Sequence, residues 1–127
     1  MNFFSWFSSK NKTAKQPSLI SVTEAHERAR RGDLLIIDVR QPNEWARTGR
    51  PQNSVGVPFQ SPTFVQDVRA TVGDKIDTSI ALSCHTGARA TSASGMLAED
   101  GFTSLFIVEG GFVAWDKAGL PIDEGPF

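Results

Sequence analysis

Short apolar runs that alternate with helix-like stretches constrain this chain more than any other feature. From Leu19 onward the alternation persists to the last helix, the pattern expected when helices cover a parallel sheet. Leu34-Leu35-Ile36-Ile37 is a continuous apolar run ending at Asp38, as a strand buried on both faces requires, and it belongs near the sheet centre. Leu19–Ser21, Ser54–Pro58, Ile80–Leu82 and Ser104–Val108 read as further strands. Thr23 reads as the N-cap of a helix to Arg31, with Glu24 and Glu27 early, arginines late and Gly32 as terminator. Gln41–Trp45 is a turn into a short helix, and Thr63–Val72 a helix ended near Gly73. Ala90–Asp100 is a helix of small residues closed by Gly101, and Gly110-Gly111 opens a last helix containing Trp115. The expected class is α/β, with about five mainly parallel strands flanked by helices on both faces.

The 127 residues suit one core, expected over residues 18–122, with a tail at 1–17 and a trailing coil in the Pro- and Gly-rich end at 123–127. No apolar run reaches the roughly 20 residues of a bilayer span. A balance of 13 Lys+Arg against 14 Asp+Glu gives no footprint for nucleic-acid binding. The tail carries Phe3, Phe4, Trp6 and Phe7 ahead of Lys10, Lys12 and Lys15, the reverse of a secretory signal, so a cytoplasmic protein is expected. If that tail is helical, Phe3, Trp6 and Phe7 share a side and the lysines face anionic headgroups; disorder or packing on the domain is the commoner fate of such a segment.

Cys84 is the single cysteine, which excludes an internal disulfide and a cysteine-based zinc cluster. It lies just past a strand, at the edge where parallel α/β sheets place their active crevices. His85, Thr86, Gly87, Ala88 and Arg89 form a tight loop into a helix, so that several backbone N–H groups converge on the sulfur and on an anion beside it. A helix N-terminus and nearby cations favour the thiolate, the nucleophilic form, and Cys84 is expected to be reactive. A lone thiol is more often a buried packing residue; the strand, glycine and arginine around this one reverse that expectation.

The stretch Ser83-Cys84-His85-Thr86-Gly87-Ala88-Arg89 resembles the active-site loop of rhodanese-like sulfurtransferases, with its pattern Cys-x-x-Gly-x-Arg. Ile37-Asp38-Val39-Arg40-Gln41-Pro42-Asn43-Glu44-Trp45 resembles the Asp-Val-Arg segment of that family, and Val108-Glu109-Gly110-Gly111-Phe112-Val113-Ala114-Trp115 its closing Gly-Gly-x-x-x-Trp element. Three matches in order, over about Ser18 to Ile122, identify the chain as a member. The resemblance implies a five-stranded parallel sheet and a Cys84 that accepts sulfane sulfur as a persulfide, without a cofactor or metal. The donor would be thiosulfate or a persulfide, and the acceptor a thiol, a cyanide-like nucleophile or a sulfur-relay protein. His85, Thr86, Gly87, Ala88 and Arg89 would bind substrate, with Arg89 serving equally to tie the loop to the sheet. Asp38 would fix the local framework, with Arg40 as its partner or as a rim charge.

Two positions depart from the family pattern. Arg50 replaces a family histidine, and His85 stands where thiosulfate-using relatives often place Arg or Lys to hold the dianion. Histidine carries little fixed charge at neutral pH. A phosphatase or arsenate-reductase relative is the first alternative, but four residues separate Cys84 from Arg89, where the phosphatase cradle has five. A non-catalytic interaction module is the second, and an intact Cys84 argues against it. His26 reads as a solvated surface residue of its helix, and Trp45 and Trp115 as packing.

Overall fold

A computed structural model describes residues 16–127. The aromatic and basic segment to Lys15, with its docking and membrane-surface readings, lies outside the described residues. Twelve elements follow in order: β1 (Ser18–Ile20), α1 (Val22–Arg30), β2 (Leu35–Asp38), α2 (Pro42–Thr48), β3 (Arg50–Pro51), β4 (Ser54–Gly56), α3 (Phe64–Val72), β5 (Ile80–Ser83), α4 (Ala88–Glu99), β6 (Leu105–Val108), α5 (Gly111–Lys117) and β7 (Ile122–Asp123). Five strands form one parallel sheet in the order β1-β6-β5-β2-β4, as the apolar runs predicted. No helix among the described residues is long and apolar enough to cross a membrane.

The register sorts the apolar side chains onto two faces because successive strand residues alternate. Ile37 pairs with Leu82, which pairs with Ile107, and this row packs with Phe64 and Val68 of α3 and Ala90, Ala93 and Leu97 of α4. Ile36 pairs with Ala81, and their row packs on the other face with Ala25 and Ala29 of α1 and Trp115 of α5. β5 is the middle strand of the five, and all four of its residues are buried. Its exit is therefore held from both sides.

Several boundaries differ from the sequence reading, each for a local reason. The N-cap of α1 is Ser21, not Thr23: β1 stops at Ile20, and the Ser21 hydroxyl accepts from the Glu24 amide at 3.1 Å. The spacing Ser21-x-x-Glu24 was the available signal. β2 runs Leu35–Asp38, and Leu34 instead packs under α1. α4 begins at Ala88, inside the segment read as loop, because Gly87 at φ 136° turns the chain directly into it. The end of the chain is not all coil. β7 pairs antiparallel with β3, Ile122 on Pro51 and Asp123 on Arg50. Gly49 permits this approach, since a β-carbon there would stand 2.6 Å from the Asp123 carbonyl oxygen. His26 is half-buried rather than solvated, edge-on to Trp115 with ring centres 5.6 Å apart. Trp45 and Trp115 are both buried, and the Trp115 indole donates to the Pro121 carbonyl at 2.7 Å.

Candidate active site

β5 carries Cys84 to the carboxyl edge of the sheet, where its side chain is 1% exposed. Two backbone amides point at the sulfur: the Gly87 N–H donates to Sγ at 3.0 Å and the Ala90 N–H at 3.4 Å. The early start of α4 makes this arrangement, because the first-turn amides of a helix have no partner within it. The carbonyls of the loop turn the opposite way. Cys84 C=O accepts from the Phe112 amide at 2.8 Å and His85 C=O from the Val113 amide at 3.2 Å, both at the start of α5. Amides thus face the sulfur while carbonyls face another helix, and an anion on Sγ meets donors.

Arg89, in the first turn of α4, directs its guanidinium onto Glu44 of α2 rather than onto the sulfur. Nη1 donates to Oε1 at 2.7 Å and Nη2 to Oε2 at 3.0 Å. Glu44 Oε1 also accepts the Gln41 amide at 2.9 Å, and the Gln41 side chain donates in turn to Gln60 beyond β4. The Arg89 hydrogen bonds, opposed in part by burial and reinforced by the Gln41 amide, hold the Glu44 carboxyl down from 4.5 to about 2. It is a permanent anion at neutral pH.

Asp38 and Arg40 form the second ion pair, fully buried where β2 ends. Arg40 Nε donates to both Asp38 oxygens at 3.0 and 3.1 Å and Nη2 to Oδ2 at 2.8 Å, while the Arg40 amide adds a bond to Oδ1 at 3.0 Å. The other guanidinium donors reach the Thr48 hydroxyl at 2.9 Å and the Gly49 carbonyl at 2.8 Å. The guanidinium lies 4.4 Å over the Phe112 ring, on the residue whose amide holds the Cys84 carbonyl. Arg40 is consequently a buried strut and not a rim charge.

The structure therefore brings Gly87 onto Cys84, sends the Arg89 guanidinium to Glu44 instead, and leaves His85, Thr86 and Ala88 exposed at the lip. Sequence reasoning missed three contributors: the Ala90 amide, Phe112 and the carboxylate of Glu44. Glu44 stands third in a helix opened by Pro42, a position that favours an acid, but nothing local points it at Arg89. Arg50 is half-buried, its guanidinium 4.9 Å over Trp45 and 4.0 Å over Phe127. Burial lowers its pKa, partly offset by Asp38 and Asp123.

A buried cysteine whose sulfur accepts two backbone amides at the carboxyl edge of a parallel five-stranded sheet places the chain among α/β proteins with a cysteine loop running into a helix. Residues 21–118 match the Rhodanese-like domain family, and the chain belongs to it. It is 32% identical over 117 residues to the chloroplastic thiosulfate sulfurtransferase 16 of Arabidopsis thaliana, covering 85% of this chain and 94% of that protein. Over 90 residues it is 31% identical to a sulfurtransferase of Allochromatium vinosum, covering 71% of this chain and 78% of that one. Among solved structures it is similar to the polysulfide-sulfur transferase homodimer of Wolinella succinogenes. That match has 29% identity and a TM-score of 0.69, covering 95% of this chain and 89% of that one.

Proposed function

We propose that this protein is a sulfurtransferase that moves sulfane sulfur from thiosulfate or a persulfide to a thiophilic acceptor through a persulfide on Cys84. The observation that carries the reading is the pair of amides aimed at Sγ. In the first half-reaction the Cys84 thiolate attacks the outer sulfur of the donor. The new bond is Sγ–S, and the bond that breaks joins that sulfur to the rest of the donor. From thiosulfate the leaving group is sulfite; from a persulfide R–S–SH it is the thiolate R–S⁻. In the second half-reaction an acceptor thiolate attacks the outer sulfur of Cys84–S–SH, becomes a persulfide and returns the Cys84 thiolate. No electrons are gained or lost overall, so no cofactor is required. Gly87 and Ala90 hold charge on sulfur in both halves, Arg89 shapes the loop, and His85, Thr86 and Ala88 meet donor and acceptor at the lip.

A cyanide-like nucleophile, a small thiol or a cysteine of a sulfur-relay protein would each serve as acceptor. Thiol acceptors must stay reduced, which suits the cytoplasm or a compartment like it. Intact-protein mass spectrometry after incubation with thiosulfate or cysteine persulfide tests the reading. We expect addition of one sulfur, reversed by a thiol and absent in Cys84→Ser, with circular dichroism confirming that the variant is folded. No addition from either donor, together with hydrolysis of a phosphate ester that depends on Cys84, would establish the phosphatase alternative instead.

A further inference from the structure

The Cys84 side chain is 1% exposed, so whatever takes sulfur from it must reach inward. Toward β2 and β4 the surroundings of the sulfur are apolar. The backbone there runs in step: the Val39 amide donates to the Ser83 carbonyl at 2.8 Å, and the Phe59 amide to the Val39 carbonyl at 3.0 Å. Val39 thereby extends the pairing of Asp38 with Ser83 by one residue and lies beside Cys84, while Phe59 lies beside Val39 at the same carboxyl edge. Cys84, Val39, Val57, Phe64 and Ala90 share one apolar cluster, and none of them is more than 4% exposed. Phe59 packs against that cluster yet is only half-buried, its ring edge-on to Phe64 with centres 5.6 Å apart. Of these side chains at the carboxyl edge, Phe59 is the one that meets solvent.

The turn that carries Phe59 is constrained. Pro58 and Pro62 each fix a backbone angle on either side of it. The Ser61 amide donates to the Pro58 carbonyl at 3.3 Å, and the Phe64 amide to the Ser61 carbonyl at 3.1 Å where α3 begins. A ring on such a turn subtracts a fixed volume from the space through which Cys84 is approached. The wall of Val39, Val57, Phe59 and Phe64 carries no charge or polar side-chain atom, so it sorts what enters by size.

Resting on the sulfurtransferase reading, we propose that Phe59 determines which acceptors draw sulfur from Cys84: its ring narrows the mouth, admitting cyanide and unhindered thiols and holding back thiols with bulk on the carbon that bears sulfur. The step is R–S⁻ plus Cys84–S–SH giving R–S–SH plus Cys84–S⁻. One S–S bond breaks as another forms, with atoms, charge and electrons conserved. The thiol must bring its own substituents to the outer sulfur, whereas cyanide, two atoms in line, brings none. Phe59 exchanges no proton or electron and acts as a specificity residue.

Cysteine and penicillamine test this, because they differ only by two methyl groups beside the sulfur. The full chain is loaded from thiosulfate or cysteine persulfide and discharged to cyanide, cysteine or penicillamine. Phe59→Ala should raise kcat/KM for penicillamine about ten-fold and for cysteine less than about three-fold, with cyanide and the loading step within about two-fold. Phe59→Trp should lower penicillamine further and leave cyanide unchanged. Phe59→Leu keeps an apolar side chain on the cluster and should give part of the gain, which preserves the test if the alanine variant fails to fold. Alkylation of resting Cys84 reads the wall without any transfer: Phe59→Ala should accelerate N-phenylmaleimide several-fold more than iodoacetamide. Gains that are equal for all three acceptors, or no gain for penicillamine in the alanine and leucine variants, overturn the proposal. A wild type that gains no sulfur from either donor overturns the sulfurtransferase reading and this inference with it; loading and discharge to cyanide without dependence on acceptor bulk overturn the inference alone.

Discussion

A β-carbon on Gly111 would stand 2.6 Å from the carbonyl oxygens of both Cys84 and His85. The residue sits at φ 59°, a conformation that L side chains rarely adopt, at the turn into α5 that holds the nucleophile loop from behind. Gly111→Ala should lower stability by about 2–3 kcal/mol through strain and overlap, and slow Cys84 loading as the loop shifts. Gly95, in the middle of α4 with open space around it, is the contrast: Gly95→Ala should raise stability by about 0.5–1 kcal/mol with loading unchanged. Urea denaturation and mass-spectrometric loading rates check both.

Asp38 is fully buried and serves a single buried guanidinium. Removing the acid alone strands a charge, so Asp38→Asn should cost about 3–5 kcal/mol. Replacing both partners, as in Asp38→Asn with Arg40→Met, should cost less than the sum of the single changes. Chemical denaturation of the four proteins in the cycle measures the coupling.

The Glu44–Arg89 pair should leave a signature in acid. A carboxyl lowered from 4.5 to about 2 by its partner stabilises the fold fully above about pH 4.5, and that contribution is lost as pH falls toward 2. The stability gap between the wild type and Glu44→Gln is therefore expected to be widest near neutrality and to close between those two values. Denaturation midpoints taken across that range would show it; a gap that stays constant would mean that the charge contributes nothing.

His85, exposed directly after the nucleophile, tests the effect of charge on the donor. His85→Arg places a fixed cation and a two-pronged donor at the exposed lip and should lower KM for thiosulfate by a few-fold up to about ten-fold, with a smaller change in turnover. Unchanged thiosulfate kinetics would show that the side chain does not face the donor.

What the sequence made legible was whatever depends on neighbours along the chain. The run from Leu34 to Ile37 reads as a buried strand because four apolar residues in succession have few other uses, and Cys84 reads as a site because a strand, a glycine and an arginine surround it. Contacts across the chain were harder to see. Glu44 and Arg89 lie 45 residues apart and meet only because parallel pairing of β2 with β5 puts both connections at one edge. His26 sits beside charged residues in sequence, yet the crossing of α1 over α5 turns its ring onto Trp115. The Pro- and Gly-rich end gives no strand signal at all, since two residues of β7 gain their order from Arg50 and Pro51 rather than from their own propensity.

The nucleophile and the carboxylate that occupies Arg89 belong to different connections of one rigid sheet, whose register is fixed where Asp38 lies beside Ser83. The seven-residue α2 gives Glu44 to Arg89 and Thr48 to Arg40, whereas β5 holds the sulfur directly. Changes between β2 and β3 therefore reach the loop at one remove, through ion pairs, while the strand alone sets where the sulfur stands.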